Sequence, residues 1–499
     1  MENNFDYEIF NIVRGTFSPE VLLLSLSDDT INTDTRALDT KNSIIYSHEH
    51  FHYLQTSMTG FGQTYWNMVR QGMSCIFTEW LVSTEKYKAK RPLPIGYLAT
   101  KSNADLVNAF KLNIYRYTLN ILYLQNYKHP SISSFRDIID MPFNNSYSLT
   151  PQINHGGKTF DLNGRDIIES HAKYLEAIYA NIIHNVPINV TLDINKLPYQ
   201  YYIPYLWFVN EVGIDKEKEF PIICDLSLQT GKLKISLDEQ DWKAIHPGWR
   251  FYNLTQALKI ITTPSMSSLE EIKNNYTEYC NVLLKHCKFT SLEETFSEIL
   301  TFYDNRCENC DGLKQEERMK KAFLYRVKHP WSAANPFIDL DTWVEMKNLF
   351  PPPSYIINNS YNVTIIEPED IPKNPTHADG ITLEHVAELH LQALSMQILG
   401  VVSKYSLDID EIQCGFAYFG IKNGCRYQSE GKCSGSLNPK EEYKIGYELI
   451  NENLDFIGCT FAVCLAIHEC SISDIDLNFR FRKMPSFDEM KTRLEGTDS

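Results

Sequence analysis

The sequence lacks any long apolar run. Its longest candidates, around Val21–Leu26 and Cys459–Ile467, fall far short of the roughly 20 residues that a helix needs to cross a bilayer. The first ten residues, MENNFDYEIF, are acidic where a secretory signal is basic, so the expectation is a cytoplasmic chain with no membrane partner. Positive charge is also scarce. Lys and Arg total 47 against 63 Asp and Glu, a net charge of −16, which repels nucleic acid and anionic lipid alike. The basic runs Lys86–Arg91 and Arg480–Lys483 are short and read as solvated faces. There is no Gly-rich phosphate loop and no Gly-x-Ser-x-Gly elbow, which argues against nucleotide-driven and serine-hydrolase chemistry. No fixed-period repeat or low-complexity tract interrupts the chain. In a reducing compartment the twelve cysteines read as buried thiols or metal ligands rather than disulfides.

What is present is a chain of 499 residues with 43% hydrophobic content, long enough for two or three cores. Apolar residues recur at helical spacing over Ile44–Met68, Asn103–Leu124, Gly164–Ile183, Ser268–Cys287, Leu292–Tyr303, Gln315–Val327 and Thr382–Lys404. Short apolar segments at Tyr7–Val13, Val21–Leu26, Lys232–Ser236 and Tyr361–Ile366 read as strands. The expected fold class is therefore α+β, predominantly α-helical. The prolines Pro351–Pro353 cannot continue a helix and suggest a boundary between residues 1–350, containing a large helical insertion at Trp80–Asn163, and an α+β region over residues 354–499.

The segment IIYSHEHFHYL carries the chemistry. Residues four apart lie on one helical face, so His48 and His52 can present two imidazoles to a single ion. Glu49 is turned about 100° away and reaches a water bound to such an ion rather than the ion itself. His50 points to the other side, so a structural role or a hydrogen bond to a neighbouring segment is expected. Ile44, Ile45, Tyr46, Phe51, Tyr53 and Leu54 surround these polar residues with apolar bulk. A buried carboxylate between buried imidazoles is costly without compensation. Glu49 and His52 also form a Glu-x-x-His pair of the di-iron bundle type, but no second such pair occurs.

This segment resembles the active-site helix of the zincin metallopeptidases. The resemblance implies zinc held by His48 and His52, with Glu49 as general base. The metzincin branch places a further His six residues after the second, where this chain has Met58. What remains is the gluzincin type, in which a Glu on a later helix, in patterns such as Glu-x-x-Ala, completes the ligands. Two helices fit. In GRDIIESHAKYLEAIYA the residues Asp166, Glu169 and Glu176 lie near one stripe, so Glu169 is the favoured third ligand and Glu176 is placed to accept a hydrogen bond from a metal-bound imidazole. The second is Glu384 in TLEHVAELHLQA.

The function implied is zinc-dependent hydrolysis of a protein or peptide substrate. The alternative is a non-catalytic binding or regulatory module in which the metal braces two helices. Cys307 and Cys310 form Cys-x-x-Cys, and with the loop residues Cys425 and Cys433 they could hold a second, structural zinc. Packed free thiols are the simpler reading. His385 and His390 are five apart and read as structural, and His246-Pro-Gly-Trp-Arg250 reads as a structural turn.

Overall fold

The computed structural model describes residues 15–18, 23–26, 40–66, 93–94, 150–192, 198–231, 239–304, 314–350, 354–359, 362–366, 414 and 475–476. Two compact units divide the chain: Met1–Asn67, Leu119–Asn126 and Phe143–Tyr355 form the first, and Met68–Thr118, Tyr127–Pro142 and Ile356–Ser499 the second. All of the site chemistry below belongs to the first unit. The helices expected at Asn103–Leu124 and Thr382–Lys404, the strands at Tyr7–Val13 and Lys232–Ser236, and Glu384, His385, His390, Cys307, Cys310, Cys425 and Cys433 lie outside the described residues.

Among the described residues helices dominate, with small antiparallel strand pairs at Gly15–Ser18 with Leu23–Leu26 and at Gln152–His155 with Lys158–Asp161. Four helices read from periodicity are present as Gly164–His184, Leu269–His286, Leu292–Asp304 and Lys314–Lys328. Of the expected strands, Val21–Leu26 is found as Leu23–Leu26 and Tyr361–Ile366 as Asn362–Ile366. The motif helix runs Thr40–Met58 and then breaks, with helix resuming over residues 60–66. The chain is tightly held just after the break. A Cβ on Gly60 would stand 2.1 Å from the Thr230 carbonyl oxygen, and the Gly60 N–H donates to Gln229 Oε1 at 3.1 Å. Gln229 is itself anchored, donating from Nε2 to Asp225 Oδ1 at 3.0 Å, and Asp225 is neutralised by the buried Arg326 guanidinium and bonded by the Tyr276 hydroxyl.

One apolar cluster packs the motif helix against the Glu169 helix, Gly164–His184, and a second packs the other side of the Glu169 helix. Ile44, Phe51 and Met58, seven apart, belong to a cluster with Ala172, Leu175, Tyr179, Met319, Phe337, Trp343 and Met346. Ile167 and Tyr174 belong to the other, with Trp207, Phe208, Phe220, Phe251 and Tyr276. The Glu169 helix thus has an apolar stripe on each of two sides, and its remaining polar positions are confined between them.

The helices not read from the sequence include Ile203–Val212, Phe220–Leu228, Pro247–Ile260 and Leu340–Leu349, with the short Ile188–Thr191 and Glu239–Ile245. The segment His246–Arg250, expected as a turn, is the start of one of them. The His246 side chain accepts from the Trp249 N–H and Pro247 occupies the first turn, the arrangement a helix N-terminus favours. Arg250 is structural as expected. It is buried and donates to the carbonyls of Leu226, Gln229 and Ala244 at 2.8–3.3 Å.

Candidate metal centre

The motif helix turns His48, His52 and Gln55 toward one side, positions spaced four and three apart. His48 and His52 meet edge to face, with ring centroids 4.7 Å apart. Their Nε2 atoms are 3.1 Å apart. Glu169 Oε2 stands 3.5 Å from His48 Nε2 and 3.3 Å from His52 Nε2. These three residues can each offer one ligand atom to a single ion.

The donor set fits a metal. Four-coordinate zinc with bonds of about 2.0–2.1 Å places its ligand atoms about 3.3 Å from one another, and the three measured edges bracket that value. Two imidazoles and a carboxylate are also the ligand types that zinc accepts. Imidazole also suits several other transition metals.

Each histidine has its outer nitrogen engaged. His48 Nδ1 lies 2.9 Å from Glu176 Oε2, close but off the line of a well-formed hydrogen bond. Glu176 is held on its other oxygen by Lys173 Nζ at 2.6 Å. His52 Nδ1 faces Gln55 Oε1 at 2.9 Å. The Glu169 carboxylate reaches the half-exposed Arg165, whose Nε is 3.5 Å from Oε1. Asp166, read from the sequence as part of the same acidic stripe, serves its own helix instead, accepting the Asn163 N–H at 2.9 Å.

The charges are mutually dependent. Burial opposes a charged His48, but the carboxylates of Glu169 and Glu176 outweigh it and lift its pKa to about 10. Burial likewise opposes ionisation of Glu169, yet the two imidazoles hold its carboxyl well below the usual range. Glu176 is lowered in the same way by Lys173 and His48 against its burial. Glu49 behaves differently. It is buried, it does not belong to the three-residue cluster, and desolvation raises its pKa against the pull of His48 and His52. A carboxylate whose proton affinity is raised at a buried site is suited to proton transfer near neutral pH.

His50 is on the far side of the helix, as its position requires. Its Nε2 donates to the Phe350 carbonyl at 2.9 Å, and its ring packs against Tyr53 and Trp343. The site contains two groups with no signature in the local sequence. Tyr201 sets its ring 5.9 Å from that of His48, and burial together with Glu169, Glu49 and Glu176 keeps its hydroxyl protonated. His171 lies next to Gln55, with 3.2 Å between His171 Nδ1 and Gln55 Nε2. Beside His52 a small cleft is lined by Thr56, Phe61, Tyr65, Ile168 and Leu228 among others.

No protein-family model, curated protein or solved structure matches the chain. What stands is a possible His-His-Glu metal group in a mostly helical protein. Among the described residues no helix is long and apolar enough to cross a membrane.

Proposed function

We propose that this protein is a zinc-dependent hydrolase of peptide bonds, of the zincin type, with His48, His52 and Glu169 as metal ligands and Glu49 as general base. The observation that carries the reading is the triangle of Nε2, Nε2 and Oε2 atoms with edges of 3.1, 3.3 and 3.5 Å. Bound there, zinc supplies Lewis acidity, making a coordinated water acidic near neutral pH.

The chain's own residues supply the rest. Glu49 is one position along the helix from His48, outside the ligand cluster but within its electrostatic field. It takes the proton of the attacking water and delivers it to the leaving amine. Tyr201 holds a neutral O–H beside the same carboxylates, a donor available to the oxyanion that develops on the substrate carbonyl. Glu176, fixed by Lys173, orients His48 through Nδ1. Three protein ligands leave a position for water, as catalytic zinc sites require, whereas a bracing site closes with a fourth. Among the described residues the cluster contains three, the number of protein ligands that a catalytic zinc site uses.

The test is elemental analysis of the purified chain together with peptide hydrolysis. The expected result is about one zinc per chain, absent from the His48→Ala/His52→Ala double variant. Glu49→Gln should keep zinc and fold while hydrolysis falls at least 10²-fold. Unchanged zinc content in the double variant removes the metal assignment, and a Glu49→Gln variant as active as the parent removes the base. Cytoplasmic location, and partners limited to peptide or protein substrates without nucleic acid or membrane, complete the proposal.

A further inference from the structure

We propose that Gln55 is a positioning residue that, held by Ile168 and His171, dictates which ring nitrogen of His52 faces the cluster. Its consequence for metal binding rests on the function proposed above, but its geometry does not.

The chain of bonds starts at two backbone carbonyls, which can only accept. The Ala334 oxygen lies 2.8 Å from His171 Nε2, so that nitrogen carries a hydrogen, and in the neutral ring Nδ1 is left with a lone pair. The Ile168 oxygen lies 3.0 Å from Gln55 Nε2. An amide nitrogen has two hydrogens. One goes to Ile168 and the other to His171 Nδ1 at 3.2 Å. Rotating the carboxamide by 180° would set its oxygen against a carbonyl oxygen and an imidazole lone pair, all of them buried, where nothing replaces the lost bonds.

Gln55 Oε1 is therefore committed to His52 Nδ1 at 2.9 Å, and that nitrogen must donate. His52 Nε2 is left without a hydrogen, its lone pair directed toward His48 Nε2 and Glu169 Oε2, 3.1 and 3.3 Å away. The other neutral tautomer would aim an N–H into the cluster and withdraw a ligand. Beside His48 Nδ1 the neighbour is a carboxylate, Glu176 Oε2 at 2.9 Å. At His52 the acceptor is neutral, so its orientation has to be specified from behind, and His171 and the Ile168 carbonyl do so.

The experiment uses the full chain in four variants: Gln55→Met, Gln55→Glu, His171→Phe and, as control, His50→Phe. His50 is a buried histidine that also donates to a backbone carbonyl but has no part in the chain to His52. The first readout is the His52 tautomer in metal-free protein labelled with 15N histidine, from long-range 1H–15N correlation. The parent should show Nδ1–H, and Gln55→Met should populate Nε2–H. The second is zinc affinity by chelator competition. Gln55→Met should weaken it about 10 to 100-fold. Gln55→Glu should restore most of that, because one oxygen still accepts from His52 while the other, protonated, donates to Ile168. His171→Phe should fall between, and His50→Phe should match the parent. A Gln55→Met chain with the parent's tautomer overturns the inference, as does one with parental zinc affinity in a parent that binds zinc. A parent that binds no zinc but shows the tautomer response removes the metal reading and leaves Gln55 in its role.

Discussion

His48 Nε2 and His52 Nε2 stand 3.1 Å apart with Glu169 Oε2 completing the triangle. Two imidazole lone pairs directed at each other repel unless a cation lies between them. Without metal, His48 carries a proton at pH 7, because Glu169 and Glu176 lift its pKa to about 10 against its burial. Metal uptake must then expel that proton. Calorimetry in buffers of differing ionisation enthalpy should record about one proton released per zinc, and apparent affinity should rise up to tenfold per unit between about pH 6.5 and 8.5. Buffer-independent heats would show that the rings are already neutral.

Glu169 and Glu176 differ in kind although both touch His48. The first offers an oxygen to the cluster and the second only steadies an imidazole. Replacing Glu176 by Ala should weaken zinc binding about 10 to 100-fold, and Glu169→Ala should weaken it by more than that. Competition against a chromophoric chelator ranks the two. The reverse order would transfer the third ligand away from Glu169.

Acid should destabilise the protein through two neutral histidines. Burial lowers His50 and His171 to about 4, against the opposing effect of their bonds to Phe350 and Ala334. Unfolded histidine titrates near 6.5, so as pH falls the unfolded chain takes up protons first. The stability is fully present above about pH 6.5 and is lost as pH falls toward about 4, on the order of 3 kcal/mol for each ring. Urea unfolding between pH 4.5 and 7 should give a flatter pH dependence for His50→Phe than for the parent. Parallel curves would mean that His50 is accessible to protons in the folded state.

Gly60→Ala should destabilise the fold without touching the site chemistry. Its Cβ would meet the Thr230 carbonyl oxygen at 2.1 Å, and both sides of that contact are backbone, so one segment must move. A loss of about 1–3 kcal/mol is expected from overpacking of this kind. The denaturation midpoint, compared with that of Gly231→Ala, measures it. At Gly231 the nearest obstacle is only the end of the Glu298 side chain, which can rotate away.

Several parts of this arrangement were legible before any coordinates. The helix expected from its apolar period at Ser268–Cys287 is present as Leu269–His286. The periods of Leu292–Asp304 and Lys314–Lys328 were equally plain. The helices Ile203–Val212 and Phe220–Leu228 were not. Four of the ten residues of the first and every residue of the second are buried, and prolines open both, so neither a polar face nor a uniform apolar run announces a helix. The break after Met58 was read through as continuous helix, because the residues packed against it, Gln229 and Thr230, come about 170 positions later in the chain.

The sequence by itself determined what is local. Four-residue spacing aligns His48 with His52, a one-residue step turns Glu49 aside, and a two-residue step sends His50 to the opposite face, where it bonds Phe350. Helical geometry repeats at fixed angles, so such relations survive in any tertiary context. Only the tertiary structure decided which partners close around them. It brings Glu169 to the imidazoles across 117 positions of chain from His52 and Tyr201 to His48, and it commits Gln55 to His52 through His171 and Ala334. Those encounters depend on how one apolar cluster packs the motif helix against the Glu169 helix and a second packs the other side of the Glu169 helix, and packing of that kind leaves no period in the residues it joins.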